Sequence, residues 1–402
     1  MRGKADVDGR HAAVPGDICM SDGSSIEWLA WPGYRPASWN PAKGCTSVSE
    51  GCRNCYAEVM AARFSKPGQW GHGIAEMRGG DHRWTGRVGL DEAKLLLPLR
   101  WRSPRVIFVN STSDLFHERL PDEAIDRVFA VMALCPQHRF ICLTKRAERM
   151  LGYFSPETSF LSGNGAFSRG GKIAAIAASL HATKGRSLPT WPLPNVILGV
   201  SVEDQETADE RIPHLLATQA ACRMVSAEPL LGAVDFTRIC ILAKRPGSVR
   251  AGIHVDALSG RYVESGLAYH GDWDISGPPP AADTPPRRLH WVVSGGESGP
   301  GARPAHPDWF RSIRDQCRAA EVPFFFKQNG EYAVVYDRDR EDPDWQRCDA
   351  IMRKTPKGRW LNLAGGHGFH GKRVLRAVPV GKHRSGRLLD GRTHDEVPEV
   401  SR

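Results

Sequence analysis

From residue 100 onward the chain repeats one pattern: a short apolar run rich in Val, Ile and Phe ends abruptly in polar residues, and an amphipathic stretch follows. The runs occupy 106–110, 140–144, 196–200, 223–226, 290–294 and 323–327. Continuous apolar runs of this length suit strands buried on both faces, as parallel strands are when helices cover them. The stretches between them carry the helical period. Ile125, Val128, Phe129 and Met132 follow Pro121, Asp122 and Glu123, a favourable helix start. Trp309, Ile313 and Cys317 step by four after Pro307 and Asp308, and Tyr56, Met60 and Phe64 do so directly after Cys55. The last spacing predicts a helix whose positive end favours a thiolate at Cys55.

Six β-α units, with a first strand expected near 25–31 or 38–41, predict an α/β fold: a complete or partial (β/α) TIM-like barrel of parallel strands. A doubly wound dinucleotide fold fits less well, because no G-x-G-x-x-G follows a strand. Two segments break the rhythm and read as insertions, about 155–190, rich in Ser, Gly and Ala, and 238–289, with its proline clusters. The expected organisation is a disordered N-terminus over 1–24, a barrel-like catalytic domain over 25–330, and an irregular C-terminal extension over 331–402.

The 402 residues are enough to bury a large core. No apolar stretch approaches the roughly 20 residues of a membrane span, and the first residues lack the apolar segment of a secretory signal. The expectation is a cytoplasmic protein without a membrane partner. The net charge of +9 is compatible with nucleic acid as a partner and equally with simple solubility. Seven of the ten cysteines are scattered singly, as small buried hydrophobes in a reducing compartment would be.

The other three stand apart. Cys45, Cys52 and Cys55 fall within eleven residues as C-x6-C-x2-C, and neither a His nor a fourth Cys follows within the next fifteen. Three thiolates can hold three irons of a [4Fe-4S] cluster and leave the fourth iron open. The alternative is zinc, with His72, His82 or the distant Cys222 completing the set.

Parallel strands point the same way, so the polar residues after each run converge on the face where barrels place their sites. Here these are Asn110, Ser111, Ser113 and Asp114; Thr144, Lys145 and Arg146; Ser201, Glu203 and Asp204; Ser226 and Glu228; Gly295, Gly296, Glu297 and Ser298; Lys327 and Gln328. Glu203, Glu228 and Glu297 are the candidate catalytic acids, with Lys145 and Lys327 as bases or anion contacts. Tyr56, Ser111, Ser113, Asp114, Ser201, Asp204, Gly295, Gly296 and Ser298 are candidate cofactor-binding groups. Simpler roles compete: Glu203 and Asp204 also suit a helix cap, and Gly295 to Gly299 also suit a tight turn.

The chain resembles the phage gene product thirty-seven / sixty-eight family, an uncharacterised phage-associated group. The likeness lies in Ser38-Trp39-Asn40-Pro41, in Gly51 to Glu58 around the cysteines, in Leu143 to Arg146, in Gly199 to Gln205, in Ser226 to Gly232, in Gly295 to Gly299, in Pro323 to Gln328 and in Gly386 to Gly391. At a greater remove, the cysteine trio on a β/α scaffold is similar to the radical S-adenosylmethionine superfamily, whose cysteines read C-x3-C-x2-C. Here the first gap is longer, Tyr56 follows the third cysteine instead of preceding it, and Gly-Gly-Glu lies on a late strand. That resemblance implies a [4Fe-4S] cluster on Cys45, Cys52 and Cys55, S-adenosylmethionine as co-substrate and an electron donor, while the phage association implies an enzyme modifying nucleic acid or a nucleotide. Two other readings stand beside it. One is a zinc-stabilised nucleic-acid-binding protein; the other is a barrel enzyme with a structural metal, in which Glu228 and Glu297 perform acid-base chemistry.

Overall fold

The computed structural model describes residues 23–155, 169–180, 191–242, 253–263, 287–365, 368 and 370–399. Its centre is one sheet of seven strands: β1 (Arg35–Trp39), β2 (Arg105–Val109), β3 (Arg139–Thr144), β4 (Val196–Val202), β5 (Cys222–Ala227), β6 (Trp291–Gly295) and β7 (Phe324–Gln328). Every neighbouring pair is parallel, and the order across the sheet is the order along the chain. Such winding never reverses direction, so right-handed crossovers put all connecting helices on the same face. The sheet curls into a half barrel around the other face.

Alternation within the apolar runs separates two cores. Val106, Ile141, Ile197, Met224, Trp291, Val293 and Phe325 point inward with Trp28, Leu29 and Trp31. Ile107, Phe140, Cys142, Leu198, Val200, Val225, Val292 and Phe326 point outward, under the helices. The covering helices include α2 (Asp122–Ala133), α3 (Ala147–Phe154), α4 (Arg169–Leu180), α5 (Gln205–Ala217) and α6 (Pro307–Ala319), whereas α1 (Tyr56–Arg63) packs on the hairpin of Ala75–Arg78 and Asp81–Trp84. Ile125, Val128, Phe129 and Met132 of α2 are fully buried, as their spacing predicts.

The two edge strands are not hydrogen-bonded to each other in the described residues. A 3-10 turn at Glu27–Leu29 packs against β1, β2 and β7. The outer edge of β7 is covered by the C-terminal segment, with the Phe326 N–H donating to His394 O and the Phe324 N–H to the Glu396 carboxylate.

Several expectations are corrected. The first strand is β1 at Arg35–Trp39, not 25–31, and it overlaps 38–41 only at its end. As an edge strand, half-buried and containing Pro36, it has no continuous apolar run to betray it. The region 155–190 contains α4, which buries Ile173 and Ala177. The region 238–289 contains an antiparallel sheet of Ile239–Leu242, Ile253–Asp256 and Arg261–Val263. Residues 156–168, 181–190, 243–252 and 264–286, and residues 1–22, lie outside the described residues. Residues after 331 are not irregular: Tyr332–Asp337, Leu375–Pro379 and Arg359–Leu361 form a second antiparallel sheet, closed by the helix Cys348–Lys354. Its small core of Tyr336, Cys348, Trp360 and Val374 needs too few apolar residues to stand out in an Arg- and Gly-rich sequence. No helix among the described residues is long and apolar enough to cross a membrane.

Candidate functional site

A cavity of about 380 Å³ opens where the strands end, lined by Cys45, Cys52 and Cys55 and by residues that follow β2 to β7. The cysteine loop folds over it by close contacts. Gly44 has a φ of 83°, and a Cβ there would lie 1.9 Å from Arg87 O. Cys52 ends the 3-10 turn Glu50–Cys52, and Cys55 is the N-cap of α1. Residues remote in sequence hold the loop down. Arg146 Nη2 donates to Thr46 O at 3.0 Å, Arg303 Nη2 donates to Glu50 O at 2.9 Å, and Asn54 Nδ2 donates to Gly301 O at 3.0 Å.

Burial pushes the Cys45 thiol up to about 12, with Asp114 adding to the rise and Arg146 opposing it. The Cys55 thiol is also raised by burial, although the backbone amides of Glu58 and Ala57 pull the other way. The expected thiolate preference at this helix start is therefore corrected: desolvation outweighs the helix end. Without a metal, Cys45 is a protonated thiol at neutral pH. Arg146 Nη1 lies 3.8 Å from its sulfur.

The carboxylates divide by how fully they are matched. Asp114 accepts from Thr144 Oγ1 at 2.8 Å, the Lys145 N–H at 3.2 Å and Arg146 Nη1 at 3.1 Å. Glu203, 1% exposed, pairs with Lys145, with Arg211 Nη1 at 3.1 Å and with Ser49 Oγ at 3.1 Å. Gly51 roofs it so closely that a Cβ would meet Glu203 Oε1 at 2.4 Å. Glu297 takes three hydrogen bonds from Arg303, two to Oε2 and one to Oε1. Burial raises the Glu297 carboxyl, but the Arg303 guanidinium and amide more than offset this and leave it below the usual range. Glu228 is more open: it accepts from Ser226 Oγ at 3.3 Å and pairs with Lys327 Nζ at 3.1 Å.

A family match spans residues 23–398. The chain belongs to DUF5131, described as a protein of unknown function. No curated protein and no solved structure matches it.

In this DUF5131 member the predicted residues Tyr56, Ser111, Ser113, Asp114, Lys145, Ser201, Glu228, Gly296, Glu297, Ser298 and Lys327 all line the cavity with the three cysteines. Tyr56 Oη donates to Ser111 O, Ser111 Oγ to Asn40 Oδ1, and Ser113 Oγ to Ala42 O, so these three brace the ends of β1 and β2. Asp204 lies off the lining and closes a capping box with Thr207 at the start of α5. Glu203 sits behind Lys145, under the cysteine loop. Gly295 and Gly296 bring their backbones close to the chain itself: a Cβ would meet Glu228 Oε1 at 2.5 Å and Asn329 O at 2.3 Å respectively.

Among the described residues no three His, Cys, Asp or Glu side chains converge as they would around one metal ion. Two buried amides on the lining, Asn110 Nδ2 and Gln328 Oε1, have no hydrogen-bond partner. Sequence reasoning passed over the arginines that organise the site. Arg303 is six positions beyond Glu297 in a non-helical loop and Arg211 is eight beyond Glu203, which precedes its helix, so neither pair has a spacing that marks it in the sequence.

Proposed function

We propose that this cavity is the active site of an iron–sulfur enzyme of the radical S-adenosylmethionine type, with nucleic acid or a nucleotide as the substrate class. The supporting observation is that all three cysteines of one short loop line a single cavity at the C-terminal ends of a singly wound β/α half barrel. The resemblance to the radical superfamily supports this chemistry, and the resemblance to a phage-associated family, itself uncharacterised, supports only the choice of nucleic acid or a nucleotide as substrate class.

The donor set fits the group. Three soft thiols share one cavity wall, and Cys45 and Cys55 are close enough to influence each other's ionisation. Cys45, Cys52 and Cys55 would hold the cluster, which when bound supplies single-electron chemistry at its open iron. Arg146 compensates thiolate charge at Cys45. The Lys327–Glu228 pair and Ser226 offer one positive, one negative and one neutral polar contact to a zwitterionic ligand. Asn110 and Gln328 keep unused hydrogen-bonding capacity on the lining. Lys145, Glu203, Asp114 and Glu297 hold the walls.

Anaerobic reconstitution tests this directly. About four irons and four sulfides per chain are expected, and Cys45→Ala, Cys52→Ala and Cys55→Ala should each lose the cluster. Stoichiometric zinc without sulfide would establish the zinc alternative and sink the proposal.

A further inference from the structure

The longest run of basic residues uninterrupted by an acid lies near the C-terminus. Between Ala350 and Leu389 there are ten Lys and Arg residues and no Asp or Glu, within a chain that carries 54 basic and 45 acidic residues overall. The structure brings part of this bias to a point. The helix Cys348–Lys354 ends in Arg353 and Lys354, a tight turn closed by Gly358 N–H to Thr355 O at 2.9 Å carries Lys357, and Arg359 opens the strand that follows.

All four side chains are exposed, and none makes an ion pair or side-chain hydrogen bond in the described residues. Arginines elsewhere behave differently: Arg146, Arg211, Arg303 and Arg373 each meet one or more carboxylates. Two cations at a helix C-terminus are partly explained by the helix dipole, but that reason does not reach Lys357 or Arg359. Thr355, Pro356 and Gly358 lie between the cations, so the turn itself presents charge without a large apolar side chain, the nearest exposed one being Met352 in the helix before it. Protein interfaces and membrane-inserting segments concentrate binding in aromatic or aliphatic side chains, whereas phosphate backbones are held by unpaired Lys and Arg.

We infer that this turn is a nucleic-acid contact surface that binds the phosphate backbone without reading sequence. The sheet that carries it begins directly after β7, and its first residues are tied to the cavity rim. The Glu331 N–H donates to Glu297 O at 2.8 Å, and Glu331 Oε2 accepts from the Gly299 N–H at 3.1 Å. The sheet that carries the turn is thus joined to the rim of the site, and the inference stands whatever chemistry the cavity performs.

The test uses the full chain and fluorescence anisotropy with a labelled DNA duplex and a single-stranded RNA over a salt series. The variant R353Q/K354Q/K357Q/R359Q should bind at least about tenfold more weakly at moderate salt. Its log–log salt slope on duplex should fall by up to about 3.6, near 0.9 for each of four lost phosphate contacts. A control with the same charge change on exposed cations elsewhere, R63Q/K66Q/R78Q/R102Q, should keep most of the wild-type affinity. The inference is overturned if the control loses as much as the turn variant, if neither loses affinity, or if polyglutamate or anionic phosphatidylserine vesicles are bound in preference to both nucleic acids. Iron and sulfide content is measured on the same samples, so failure here is distinguishable from failure of the iron–sulfur reading.

Discussion

Two lysine–glutamate pairs border the cavity, one between β3 and β4 and one between β5 and β7, and they are built from the same chemistry in different surroundings. In the pair Lys145–Glu203 the carboxylate side chain is 1% exposed and also holds Arg211 and Ser49 beneath the roof of Gly51. In the pair Lys327–Glu228 the carboxylate is 14% exposed and its other side-chain partner is Ser226. A carboxylate surrounded by two cations and a hydroxyl has no free capacity for a ligand, so Glu203 anchors the cysteine loop. One with a single cation and access to the cavity can exchange that partner for a ligand. Strand-end position alone therefore does not make a residue reactive.

The strongest way to break this comparison is to remove each acid. Glu203→Ala leaves Arg211 and Lys145 without their carboxylate, and removing one partner of a buried pair costs about 3–5 kcal/mol. Glu228→Ala should cost less, about 1.5–3 kcal/mol, because it removes one charge-assisted contact and Lys327 keeps some access to solvent. Urea denaturation reads both; equal losses would erase the distinction.

A smaller effect is expected at the roof. Gly51→Ala forces a methyl against the Glu203 side chain, a clash of the kind that costs about 1–3 kcal/mol. Combined with Glu203→Ala, the loss should be less than the sum, because the clash disappears with the side chain. Additive losses would show that the loop does not rest on Glu203.

For the open pair the readout is binding. Glu228→Gln should weaken S-adenosylmethionine binding to reconstituted protein about tenfold, or about 1.4 kcal/mol, with little change in stability. Glu203→Gln, if it folds, should change stability more than affinity; the reverse pattern would exchange the two roles.

The smallest effect concerns acid. Burial, aided by Arg223 and Arg288, lowers His290 to about 4 from an ordinary 6.5. Its folded pKa lies below its unfolded one, so the unfolded chain binds more protons between these values. Stability from this group is complete above about 6.5 and declines as pH falls toward 4. His290→Gln, which keeps a side-chain acceptor for the Arg223 N–H, should flatten the pH–stability curve in that window and leave it unchanged above neutrality.

Six of the seven central strands were legible because both-face burial demands continuous apolar residues, and α2 and α6 because Ile125 to Met132 and Trp309 to Cys317 keep the helical period. β1 escaped because an edge strand with Pro36 is buried on too little of its surface. The C-terminal sheet escaped because a core of a few side chains leaves almost no pattern. At the site, the convergence of Lys145, Glu228 and Lys327 followed from parallel strands sharing a direction. Their partners did not.

The sequence by itself determined the strand–helix alternation, the grouping of three thiols in one loop and the end of the sheet where polar groups collect, since each depends on residues near one another in the chain. Only the tertiary structure decided which charges are satisfied. Ser49 and Glu203 are 154 positions apart, and Arg303 and Glu50 are 253 apart. A charge in a low-dielectric interior is controlled by whatever lies within a few ångströms, and that neighbourhood exists only after distant segments have packed together.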